Sequence, residues 1–161
     1  AEKRLELWAP DAGGRPRLIK AYPILAASGG VGPKLREGDR QVPEGLYGIE
    51  SLNPNSRYHL SLRVDYPNAA DRRRAQAEGR TGLGGDIMIH GSDVSIGCLA
   101  MGDPAAEELF VLAALTGPAN IQVILSPVDF RKQAAVQIPA GQPDWVPALH
   151  EQIKVALARY R

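Results

Sequence analysis

Cys98 is the only cysteine of the chain, and it follows His90 by eight residues in the run IMIHGSDVSIGCLAM. A lone thiol forms neither an intramolecular disulfide nor a multi-thiolate metal site, so Cys98 is either an inert buried side chain or a reactive one. Gly91 and Gly97 lie between the two residues, which lets the chain fold back and set the imidazole beside the thiol. An unperturbed thiol, with a pKa of about 8.5, is only slightly ionised at neutral pH; beside an imidazolium the value drops to roughly 3.5–7.5 and the sulfur becomes a nucleophile. With no Cβ at Gly97, the amides of Gly97 and Cys98 are open to a substrate oxygen, and one such donor is worth about 2.7–4 kcal/mol to an oxyanion. If Cys98 is the reactive kind, the open amides support acyl transfer.

The elements that must hold these groups read as mainly β with peripheral helices, an α+β chain. RLELW, from Arg4, alternates with the two-residue period of a half-buried strand, and GGRP turns it into RLIKAYPILAA as a hairpin. The stretch 28–45, SGGVGPKLREGDRQVPEG, is rich in glycine, has no period and carries large and charged residues, the marks of a long structured loop. LYGIES and RYHLSLRVDY are the next strands, and alternation in the second sends Tyr58 and His59 to opposite faces. NAADRRRAQAEG, 68–79, is a short polar helix ended by Gly79, its arginines forming a solvated face.

DIMIH is a buried strand ending at His90. A helix begins at Asp103 as N-cap with Pro104 in its first turn, sets Leu109, Leu112, Ala113 and Thr116 at the spacing of one helical face, and stops at Gly117-Pro118. NIQVILSP returns as a strand. A tail helix from Asp144 sets Trp145, Leu149, Ile153 and Leu157 on one face and tolerates Pro147 in its first turn. His150 on that helix reads as structural or exposed.

A length of 161 residues suits one domain, 1–161, with a core over about 4–126 and a C-terminal extension over 127–161. A net charge of +1 gives no field that would draw a nucleic acid. The longest apolar candidate for a membrane span, ELFVLAALTGPANIQVIL, is interrupted by Gly117, Pro118 and Asn120. Three scattered histidines without HExxH-type spacing make no zinc constellation, and no cofactor is expected. The start AEKRLEL, with neither an initiator Met nor a charged-then-apolar leader, reads as a chain from which a targeting segment has been removed.

IMIHG, then SIGCLAM, then an acid-rich helix closely resemble the signature of YkuD-type L,D-transpeptidases, bacterial cell-wall enzymes with a cysteine nucleophile. Upstream, GPKLREGDRQVPEGLYGI, LNPNSRYHLSLRVDYPNAADR and GRTG are similar to the YafK-like branch of that family, so the resemblance runs over 4–126. It implies a YkuD-like β-sandwich or barrel with a catalytic strand, loop and helix. It also implies Cys98 as nucleophile, His90 as the acceptor of its proton, and Gly97 with the Cys98 amide as oxyanion site. Ser95 matches the small polar residue three before the thiol. Two family positions differ: Ile96 replaces the histidine of an SHGC motif, and Ala100 replaces an arginine two residues after the cysteine.

The substrate implied is the peptidoglycan stem peptide, attacked through a thioester at the L-centre of its third residue, in the periplasm or outer envelope. An amine resolving the thioester gives a crosslink or exchanges the terminal D-amino acid; water instead gives an L,D-carboxypeptidase or an amidase that frees wall-attached protein. A non-catalytic wall-binding domain is the remote alternative. For substrate contacts, His59 is placed to orient His90 or meet the peptide, Tyr58 to line the cleft, and Lys34 and Arg40 to pair with stem-peptide carboxylates, Arg40 by a bidentate fork.

Overall fold

The computed structural model describes residues 2–161 as a mixed α+β fold. β1 (Arg4–Pro10) and β2 (Pro16–Pro23) form an antiparallel hairpin closed at Asp11–Arg15, where the Asp11 carboxylate accepts from the Gly13 and Arg15 amides. The main sheet has five strands in the order β6-β5-β4-β3-β7. Its members are β3 (Gly45–Ser56), β4 (His59–Val64), β5 (Met88–His90), β6 (Leu99–Ala100) and β7 (Gln122–Leu125). β3 runs on past LYGIES through Leu52–Ser56, because a tight turn at Arg57–Tyr58 pairs Ser56 with His59 and extends the ladder. Beyond β6, Ala26 bridges to Ala100, so the first segment of the chain covers that edge of the sheet.

Alternation along β3, β4 and β5 sends Tyr47, Ile49, Leu62, Val64 and Ile89 into one core with Leu99 and Met101. α2 (Asp103–Thr116) packs across β4 and closes this core with Leu109 and Ala113. Its N-cap is Gly102 and not Asp103, whose carboxylate turns back to accept from the Ser92 amide at 2.8 Å. An acidic residue that would cap the helix is thereby used to anchor the loop before the cysteine. Leu112 and Thr116, set at the same spacing as Leu109 and Ala113, stay exposed, while Ala106 is buried instead.

α1 (Ala69–Ala77) has the capping box that Asn68 and Asp71 make possible, and Gly79 follows at φ +64. α3 (Val146–Leu157) buries Leu149 and Ile153 against Phe130 in a second, smaller cluster, with Trp145 and Leu157 packed at its border and Pro147 in its first turn. Arg74 of α1 lies over the Trp145 ring at 4.8 Å, so one of the three arginines is a packing residue.

Candidate active site

β5 and β6 run parallel, Ile89 opposite Leu99 and His90 opposite Ala100, with only residues 91–98 between them. Parallel neighbours ordinarily need a crossover of a dozen residues or more. The shorter return is possible because Ser92 and Gly97 take positive φ, 64° and 81°, and because Gly91 has no side chain. A Cβ at Gly91 would fall 2.5 Å from the Asp103 carboxylate and 2.7 Å from the Tyr58 carbonyl.

The return lays Cys98 alongside Met88, whose amide donates to Sγ at 3.3 Å, while the thiol donates to the Asp86 carbonyl at 3.2 Å. His90 lies two residues further along β5, and a period of two puts it on the same face as Met88. Among the described residues the thiol makes no hydrogen bond to the imidazole. The half-buried sulfur is also not poised as a thiolate. Burial pushes its pKa up and the Asp86 carboxylate adds to that, against the Met88 amide and the Lys34 charge, which pull it down. The resting ion pair expected from a Cys–His constellation is therefore replaced by a neutral thiol held on a peptide carbonyl.

His90 is buried, with its Nδ1 2.5 Å from the Gly91 carbonyl oxygen. That oxygen only accepts, so Nδ1 carries the proton and the Nε2 lone pair is left for base work. Tyr58 lies against the ring, centroids 4.7 Å apart, and the fully buried Ser61 of β4 is the strand-register partner of His90. The imidazole is fixed in position and tautomer.

Both amides expected to hold an oxyanion are engaged. Gly97 N–H donates to Ser28 Oγ at 2.6 Å, and Cys98 N–H donates to Ser95 Oγ at 3.1 Å. Each partner is a hydroxyl that a substrate oxygen can displace. Ser95 is thus a partner of the Cys98 backbone.

The other sequence candidates divide. Tyr58 reaches the site through His90. His59, in the left-handed region at φ 71°, turns its ring to Glu107 on α2, Nε2 to Oε1 2.7 Å. Lys34 is buried and committed, its Nζ donating to the Arg36 carbonyl at 2.9 Å and to Asp39 at 2.7 Å. It acts on the thiol as a charge and is not a free ligand for a carboxylate. Arg40 is exposed, and its backbone carbonyl accepts from Ser28 at 2.7 Å. Sequence reasoning missed Ser28, which nothing separates from other loop serines, and the Asp86 carbonyl, which no residue type encodes. Among the described residues no group of three or more His, Cys, Asp and Glu is placed to hold a metal ion.

The five-stranded mixed sheet, with a short parallel return that carries the lone cysteine from a strand ending at a buried histidine, defines the α+β fold class of the chain. The chain belongs to the YkuD family, the L,D-transpeptidase catalytic domain, whose model matches residues 2–124. It is 40% identical over 131 residues to "Putative L,D-transpeptidase YafK" of Escherichia coli, strains K12 and O157:H7, covering 78% of this chain and 50% of theirs. Among solved structures it resembles the helical cell shape determining protein Pgp2 of Campylobacter jejuni, with TM-score 0.58, 26% identity and coverage of 78% of this chain and 44% of Pgp2. The fold is also that of Bdellovibrio bacteriovorus Bd1075, with TM-score 0.54, 19% identity and coverage of 98% of this chain and 51% of that one. The chain spans about half the length of the curated relatives it matches.

Proposed function

We propose that the chain is a cysteine L,D-transpeptidase acting on peptidoglycan stem peptides in the cell envelope. The observation that carries this reading is the β5–β6 return, which sets the Cys98 sulfur on the Met88 amide two residues before His90 on β5, whose Nε2 is left free. Substrate entry draws the thiol off the Asp86 carbonyl, and His90 Nε2 takes its proton. The thiolate adds to the L-centre carbonyl of the third residue, while the Gly97 and Cys98 amides exchange Ser28 and Ser95 for the oxyanion. Collapse of the tetrahedral species breaks the amide bond, and His90 returns the proton to the departing D-amino acid amine. The thioester is then attacked by a second amine, which gives up its proton to His90 as the crosslink or exchanged peptide forms. Water in the same place yields the shortened stem instead.

Incubation with purified disaccharide tetrapeptides and mass analysis tests the reading. Crosslinked dimers or exchanged termini are the expected products, with a thioester adduct on Cys98 and none on Cys98→Ala. Tripeptide alone would assign the hydrolytic half-reaction. Unchanged material that still binds to Cys98→Ala and to the unaltered protein equally would leave only a wall-binding module.

A further inference from the structure

The base that the proposed chemistry uses is almost sealed from solvent. His90 is 2% exposed, whereas Tyr58, whose ring lies 4.7 Å from the imidazole at a tilt of 33°, is 45% exposed. The tyrosine is therefore the layer between one face of the imidazole and water. It stands in the tight turn between β3 and β4, where its amide donates to Ser56 Oγ at 3.1 Å.

That turn is seated on the strand end that carries the histidine. The Gly91 amide donates to the Leu60 carbonyl at 3.1 Å, and a Cβ on Gly91 would fall 2.7 Å from the Tyr58 carbonyl and 3.1 Å from the His59 Cβ. His59 leaves the turn at φ 71°, a region that disfavours any residue with a Cβ. The contact that offsets this is with Glu107 of α2, whose Oε1 lies 2.7 Å from His59 Nε2. Both side chains of the pair are half-exposed, so the clip is weak and can open.

Such a cover treats the two attackers of a thioester differently. Either an amine or a water forms a bond to the acyl carbon, the C–S bond breaks, and the attacker's proton passes to His90 and on to the departing sulfur. Water reaches an open base at once and in great excess, but it brings no binding energy with which to move a ring. An amine on a second stem peptide docks through contacts of its own, and these can displace the tyrosine. We propose that Tyr58, fastened by the His59 and Glu107 pair, is a gate on His90 that sets the ratio of transfer to hydrolysis in favour of transfer. Tyr58 is a positioning residue, since it acts through His90. The inference rests on the proposed function, which supplies the thioester.

Two measurements test the gate. Diethylpyrocarbonate acylates accessible imidazoles, and peptide mapping by mass on the Cys98→Ala protein reads each histidine separately and without turnover. Exposed His59 should react while His90 stays unmodified; with Tyr58→Ala added, His90 should react about tenfold faster. The second measurement is the ratio of tripeptide to crosslinked dimer formed from disaccharide tetrapeptides with Cys98 intact. Tyr58→Ala should raise that ratio about tenfold over the parent, and Tyr58→Phe, which keeps the ring, should hold the parent ratio. Glu107→Ala opens the clip from an exposed helix position that alanine suits, and should move the ratio the same way by a smaller factor, which keeps the test open if Tyr58→Ala does not fold. A merely structural role would lower both products together and leave their ratio unchanged. Equal ratios in the parent, Tyr58→Ala and Glu107→Ala, or tripeptide alone from the parent, would overturn the gate. A parent that makes dimers with an openly reactive His90 would sink the gate and keep the acyl-transfer reading, whereas a shielded His90 in a parent that makes no product would keep the cover and sink that reading.

Discussion

The Ser28 hydroxyl accepts from the Gly97 amide at 2.6 Å, and the same oxygen donates to the Arg40 carbonyl at 2.7 Å. One side chain thus fastens the loop before β3 to the turn that carries the nucleophile, through the very N–H an oxyanion would use.

Ser28→Ala should therefore cost stability and rate together. Losing a hydroxyl bonded on both sides is worth about 1–2 kcal/mol in denaturant unfolding. Because the Gly97 amide is no longer held in place, thioester formation followed by intact mass should slow about tenfold. Ser28→Thr keeps the hydroxyl and should restore both. Full acylation by Ser28→Ala would detach the loop from the chemistry.

The state of Cys98 predicts the pH dependence of its reactivity without substrate. Burial and the Asp86 carboxylate hold its pKa above the ordinary thiol value, so the thiolate fraction at neutral pH is small and grows about tenfold per pH unit until the raised pKa is passed. Alkylation by iodoacetamide should still be climbing at pH 9. Asp86→Asn removes the charge that adds to burial in raising the pKa and should speed alkylation severalfold at pH 7. A rate that is already flat between pH 6 and 7 would mean a resting thiolate.

How much of this was readable beforehand depends on what residue types encode. Strand periods, the Asn68 and Gly79 helix signals and the Gly117-Pro118 stop are local, and β1 to β5, α1, α2 and α3 lie close to where those patterns put them. The His90 and Cys98 pair stood out because both residue types are scarce and glycine surrounds them. β6 was hidden, since a two-residue strand has no period and exists only through pairing with β5 and with Ala26. The commitments of Lys34 to Asp39 and of His59 to Glu107 were hidden for a different reason. A loop residue such as Lys34, or a strand-end residue at positive φ such as His59, sends its side chain where tertiary structure decides.

Asp129 should leave a mark on acid stability. Its carboxyl is drawn down to about 2 by the Arg131 guanidinium, which hydrogen-bonds it. A folded-state pKa below the unfolded value of about 3.9 means the contribution is complete above pH 4 to 5 and is lost as pH falls through 2. Asp129→Asn should accordingly unfold at lower denaturant than the parent at pH 7, and the gap should shrink steadily between pH 4 and pH 2. A gap that is constant with pH would assign the effect to lost hydrogen bonds and not to charge.

The buried pair Glu44–His150 links the C-terminal helix to the site loop. His150 Nε2 lies 2.7 Å from Glu44 Oε2, and Glu44 Oε1 accepts from the Gly32 amide at 2.6 Å, so the helix reaches through one carboxylate into the segment that holds Ser28 and Lys34. Both side chains are buried, and removing one partner strands the other, a cost of about 3–5 kcal/mol. Leu149→Ala, on the same helix but packed only in the Phe130 and Ile153 cluster, carries a similar cost of about 2–5 kcal/mol. The two variants should melt alike and yet differ at the site. His150→Ala should raise hydrogen exchange across residues 28–45 and slow acylation of Cys98, because the Gly32 anchor goes with it, while Leu149→Ala at matched stability should leave both near the parent. Equal acylation rates in the two variants would reduce the pair to a stabilising contact with no hold on the chemistry.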